Sequence, residues 1–81
     1  MKLIVPQEVY EVFNGLPHQT RVRAVELLEL ICLHPRIHEV RRFGVMKGNR
    51  HFFLDSHHFY YSLTRTEIRL NAILPRGLRR A

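Results

Sequence analysis

The chain has 81 residues, 46% of them hydrophobic, with 13 Lys and Arg against 7 Asp and Glu and a formal net charge of +6. That length predicts a single domain spanning residues 1–81 with a small core, and the composition excludes a disordered chain. One cysteine, Cys32, excludes an internal disulfide and fits a reducing cytoplasm; no apolar run approaches the roughly 20 residues of a membrane span, and no signal peptide is expected.

Lys2 to Val5 reads as a first strand, ended by Pro6, whose fixed φ suits the first turn of a helix. Val9, Tyr10, Val12 and Phe13 follow at helical spacing, and Asn14 with Gly15 predicts a left-handed stop. Leu16 and Pro17 lead into a second helix from about His18 to Leu33. Its expected apolar stripe is Val22, Ala24, Val25, Leu28, Ile31 and Cys32, widened by Leu27, and His34-Pro35 ends it. So short a link makes the two an antiparallel helical hairpin. Ile37 to Met46 is expected to be a strand bent at Gly44, followed by a turn at Lys47 to Asn49.

From Asn49 the pattern changes to a period of two. Breaks at Asp55-Ser56 and at Arg65-Thr66 separate three strands, which predicts two hairpins in series. In the middle strand Phe59, Tyr61 and Leu63 share one face, with His58, Tyr60, Ser62 and Thr64 on the other. In the last strand Ile68, Leu70, Ala72 and Leu74 alternate with Glu67, Arg69, Asn71 and Ile73. The expected fold class is α+β, in the order β-α-α-β-β-β with a further strand before the hairpins, its helical hairpin packed on an antiparallel sheet.

Charge is distributed unevenly along the chain. Through Pro35 there are three bases against four acids, a net of −1; from Arg36 onward ten bases face three acids, a net of +7. A basic sheet and tail call for a nucleic acid or an acidic protein as partner. Three of the six histidines, His51, His57 and His58, fall on one hairpin. Histidine titrates near neutrality and suits proton transfer, but these positions form no fixed triad and also fit the polar face of a sheet. Cys32, His34 and His38 lack the paired spacing of a structural zinc site, and Cys32 falls on the apolar stripe, so no metal is expected.

The last strand carries the pattern Ile-x-Leu-x-x-Ile-Leu, here Ile68, Leu70, Ile73 and Leu74, followed by the basic Arg76, Arg79 and Arg80. Upstream, Arg50 opens a strand, Asp55-Ser56 make a turn, and the next strand carries Tyr60-Tyr61. With these features nearly the whole chain resembles the RelE/ParE superfamily of toxins from type II toxin–antitoxin modules, and the Tyr60-Tyr61 pair is more similar to the ParE branch. The resemblance is specific in the last third and lies only in the order of elements in the first half. Pro75 stands where ParE-like chains commonly carry His, Asp55 where a Gly is usual, and the tail lacks the terminal Tyr or His common in RNA-cleaving relatives.

The resemblance implies a ParE-like toxin that acts on DNA gyrase by protein contact through Tyr60, Arg69, Arg76, Arg79 and Arg80. A cognate acidic antitoxin would neutralise it in a hetero-oligomer. The alternative it implies is a RelE-like endoribonuclease that needs no metal or other cofactor and cleaves mRNA at the ribosome. There Arg50 and Arg76 would hold the phosphate, His58 would transfer a proton and Tyr60 would stack on a base. A third reading is a non-toxic binding module of the same fold.

Overall fold

The computed structural model describes residues 1–76, so Arg79 and Arg80 lie outside the described residues. The elements are β1 (Lys2–Ile4), α1 (Gln7–Asn14), α2 (His18–Leu33), β2 (Arg50–Leu54), β3 (His57–Leu63) and β4 (Glu67–Pro75). They make a small α+β domain with two helices and a four-stranded sheet ordered β1-β4-β3-β2.

That sheet is mixed, where a purely antiparallel one was expected. β2, β3 and β4 pair antiparallel, but β1 runs parallel to β4, with Lys2 opposite Glu67 and Ile4 opposite Arg69. A parallel neighbour cannot be reached by a tight turn, and the two helices lie within the long connection that separates the pair.

Both helices bury one side against the same face of the sheet. Val9, Leu16, Ala24, Leu28 and Ile31 join Phe52, Leu54, Phe59, Tyr61, Ile68, Leu70 and Ile73 in one cluster. The stripe of α2 is narrower than its composition suggests: Thr20, Ala24, Leu28 and Ile31 are buried, while Val22 and Val25 stay largely exposed. α1 ends without a left-handed residue. Gly15 has φ −82°, and its N–H donates to the carbonyls of Glu11 and Val12. The stop comes from Pro17, which disfavours helical backbone at Leu16, a buried residue that anchors the link.

The first hairpin turn follows its sequence closely. Asp55 and Ser56 take φ 48° and 67°, the paired left-handed values of a two-residue turn whose twist matches the strands. The Asp55 carboxylate accepts from Thr20 Oγ1 at 3.1 Å and from Arg23 at 2.9 Å, which ties the turn to α2. The Thr20 hydroxyl, though buried, is thereby satisfied.

Two other expectations fail. Residues 37–46 form no strand; a single bridge joins Val40 to Arg50, and the rest is turn and irregular loop. Gly44 and Gly48 adopt φ +84° and +90°, outside strand geometry, and Phe43 and Val45 find no face to bury against. In β4 the alternation breaks: Tyr60 pairs with Ala72 but Tyr61 pairs with Leu70, so Asn71 is an extra residue without a cross-strand partner. Such a bulge shifts the side-chain phase by one. Ile68 and Leu70 face the core as expected, but beyond the bulge Ile73 is the buried residue and Leu74 is exposed.

Candidate functional site

The helix-free face of β2, β3 and β4 collects the side chains that the core excludes. By strand alternation these are His51 and Phe53 from β2, His58, Tyr60 and Ser62 from β3, and Arg69, Ala72 and Leu74 from β4. In β4 the bulged Asn71 turns its side chain to the same region. Its amide donates to Ser62 Oγ at 2.9 Å and to Asn49 Oδ1 at 2.6 Å.

His51 and His58 are the chemical centre of this face. They sit on neighbouring strands at diagonal positions, since His51 pairs with Tyr60 and His58 with Phe53. His51 Nε2 lies 2.8 Å from His58 Nδ1, and the rings are 5.0 Å apart and nearly parallel. At that separation one ring donates its N–H to the lone pair of the other. Burial lowers the His51 pKa from its ordinary value of 6.5, and His58, Arg41 and His38 lower it further by charge.

This arrangement has a chemical property that neither ring has alone. In a neutral pair the donor ring keeps a lone pair on its outward nitrogen, while the acceptor ring keeps a proton on its own. One end of the pair is therefore a base and the other an acid. A proton taken at the base end can be matched by one released at the acid end, the shared proton shifting between the rings. Among the described residues, no side chain or backbone group hydrogen-bonds either outward nitrogen.

Aromatic groups extend the pair in both directions. The Tyr60 ring is 4.9 Å from His51 and the Phe53 ring 4.9 Å from His58. Beyond Phe53 the Arg76 guanidinium lies 5.8 Å from its ring centroid, a cation–π distance. The result is a strip running Tyr60, His51, His58, Phe53, Arg76, with a cation at one end. Tyr60 is buried at 8% exposure, where sequence alternation placed it on an open face, yet it lies outside the core cluster. The His51 ring, tilted 34° to it, covers it.

The three residues expected to act together in RNA cleavage are not all brought together. His58 and Arg76 share the strip. Arg50 has the parity of the buried Phe52 and Leu54, opposite Tyr61, and donates to the His38 carbonyl on the far side of the sheet. Arg69 lies opposite Ser62 and is exposed. His57 is engaged locally, with Nδ1 2.9 Å from the Asp55 carbonyl. Tyr61 is fully buried; its hydroxyl donates to the Pro35 carbonyl and meets His38 Nδ1, both at 3.3 Å. Burial raises its pKa and also lowers that of His38. The Tyr60-Tyr61 pair is thus one covered ring and one core residue.

In the sequence His58 stands out just past the turn, and His51 is only one of three histidines on the hairpin. The signal for the pair was present as two histidines flanking the Asp55-Ser56 turn, but reading it requires the exact register of the hairpin. Among the described residues no group of three or more His, Cys, Asp or Glu converges as a metal site, and no helix is long and apolar enough to cross a membrane. Compared with protein-family models, curated proteins and solved structures, the chain matches none.

Proposed function

We propose that this chain is a toxin of the type II toxin–antitoxin kind, similar to the RelE/ParE superfamily, that cuts RNA without a metal on the open face of β2, β3 and β4. The observation that carries the reading is the direct hydrogen bond between His51 and His58. The strand-helix-helix-three-strand order and the pattern Ile68, Leu70, Ile73, Leu74 support the family resemblance.

The reaction uses both ends of the pair. The base nitrogen takes the proton of a ribose 2′-hydroxyl, and the 2′-oxygen attacks the adjacent phosphorus. The bond from phosphorus to the 5′-oxygen breaks, and the acid nitrogen gives its proton to that leaving oxygen. The products are a 2′,3′-cyclic phosphate and a 5′-hydroxyl. The pair ends neutral with its tautomers reversed and resets through water. Arg76 and Arg41 flank the strip and supply charge for the phosphate.

A cognate antitoxin is part of the same proposal. A narrow apolar cleft of about 170 Å³ opens between β1, α1 and α2, lined by Leu3, Val5, Tyr10, Phe13, Val25 and Leu28 with Leu70. It suits the apolar side of an amphipathic segment, whose acidic residues would meet the basic half of the chain.

Contact with DNA gyrase is the second reading. Phe53 and Leu74 are exposed beside one another across His58, with Arg76 at their edge, an apolar and basic patch suited to a protein surface.

Inducible expression in a bacterium separates the two. Growth arrest with cleaved mRNA supports the first; DNA damage signalling with intact mRNA moves the assignment to gyrase; unaffected growth refutes both. With purified protein and RNA in a chelator, the products carry cyclic phosphate ends. His58→Ala and His51→Ala each slow that cleavage by about 10²–10⁴-fold.

A further inference from the structure

Residues 41–49 form a loop that holds apolar side chains in water. It contains Arg41, Arg42 and Lys47 and no acidic residue; Glu39 precedes it. Phe43 is 82% exposed and Val45 fully so. The loop is nevertheless built, because four backbone hydrogen bonds close it. Arg41 N–H donates to Asn49 O at 2.7 Å and Gly48 N–H to Arg41 O at 2.9 Å, while Lys47 and Asn49 donate to Gly44 and Met46 at 3.1 and 3.0 Å. Gly44 and Gly48 supply the left-handed turns.

The loop is also joined to the face that carries the histidine pair. Asn49 accepts from the bulged Asn71, and Val40 bridges to Arg50 at the start of β2. The positive charge of Arg41 reaches His51 and disfavours its protonation. A shallow hollow of about 250 Å³ lies along Glu39 to Phe43. It is smaller than the roughly 300–1,000 Å³ pocket of a drug-sized ligand, and suits a single ring system.

We propose that loop 41–49 is a clamp for single-stranded RNA, in which Phe43 stacks on a base while Arg41, Arg42 and Lys47 hold the flanking phosphates. The proposal rests on the reading of the open face as an RNA-cleaving site, and it gives that site a means of holding the strand beside His51. An exposed aromatic ring among three cations, which outnumber the neighbouring Glu39, is the combination single-strand binders use. Charge and continuity with the histidine strip favour RNA over an anionic lipid surface, for which two apolar side chains give little area to insert.

The test uses the full chain carrying His58→Ala, so that a labelled single-stranded RNA can be bound without being cut. Phe43→Ala is expected to weaken binding by about tenfold with the salt dependence unchanged, since a stacked base is lost. Changing Arg41, Arg42 and Lys47 to Gln is expected to lower the slope of log affinity against log salt by about 2. Phe43 is nearly free of contacts, so its loss leaves the fold intact, as circular dichroism checks. RNA bound equally well by both loop variants overturns the clamp but not the RNA reading. RNA neither bound by this chain nor cut by the unaltered one overturns both. Phe43-dependent binding to anionic phospholipid vesicles, with RNA affinity indifferent to Phe43, replaces the clamp with a membrane contact.

Discussion

Protonating both rings would set two N–H groups against each other across 2.8 Å, so the bond between His51 and His58 requires one of the facing nitrogens to carry no proton. The acid–base property described above needs the neutral form. Burial and nearby positive charge lower the pKa of His51, so its ring stays neutral to a lower pH than an exposed histidine. RNA cleavage is expected to rise with pH through an apparent value below about 6.5 and then level off. A symmetrical bell-shaped profile would instead mean that one ring must be charged and the other neutral. Tyr61 makes a structural contribution of a different kind: Tyr61→Phe keeps the packing and loses the bond to the Pro35 carbonyl, at a cost of about 1 kcal/mol in a denaturant titration.

The bulge in β4 decides which apolar side chains hold helix and sheet together. Ile73→Ala is expected to cost about 2–4 kcal/mol, because a buried branched side chain leaves a cavity. Leu74→Ala, one residue on, is expected to cost less than half of that, and equilibrium unfolding of the two variants checks the order. Strict alternation gives the opposite ranking, since it groups Leu74 with Ile68 and Leu70. Much else at this scale was legible: the Asp55-Ser56 turn, the span of α2 and all three C-terminal strands follow from turn residues and periodicity. The β4 bulge and the loop at 41–49 were not, because each depends on which tertiary partner a residue meets. The side of Arg50 was legible in hindsight from its parity with Phe52 and Leu54. The His51–His58 contact was not, because it runs diagonally between strands and exists in only one register.

For the molecule as a whole, two partly buried histidines link stability to pH. His38 and His51 have folded pKa values below the ordinary 6.5, so below that value the unfolded chain takes up protons that the folded chain resists. Stability then rises with pH across that window and flattens above it. The urea midpoint is expected to be lower at about pH 5.5 than at about pH 7.5, and His38→Gln is expected to reduce the difference.

The parallel pairing of Lys2–Ile4 with Glu67–Arg69 sets an order of events in folding. The strand synthesised first has no neighbour until the strand synthesised last emerges. The hairpins form from residues close in sequence, whereas docking β1 closes a loop across most of the domain. Leu3→Ala is accordingly expected to speed unfolding with little effect on the folding rate, while Phe59→Ala slows folding. β4 also brings Arg69, Leu74 and the neighbouring Arg76 to the open face. A nascent chain that has not released these residues has neither a finished sheet nor a finished working surface, so whatever the domain does begins only after nearly all of it has been made.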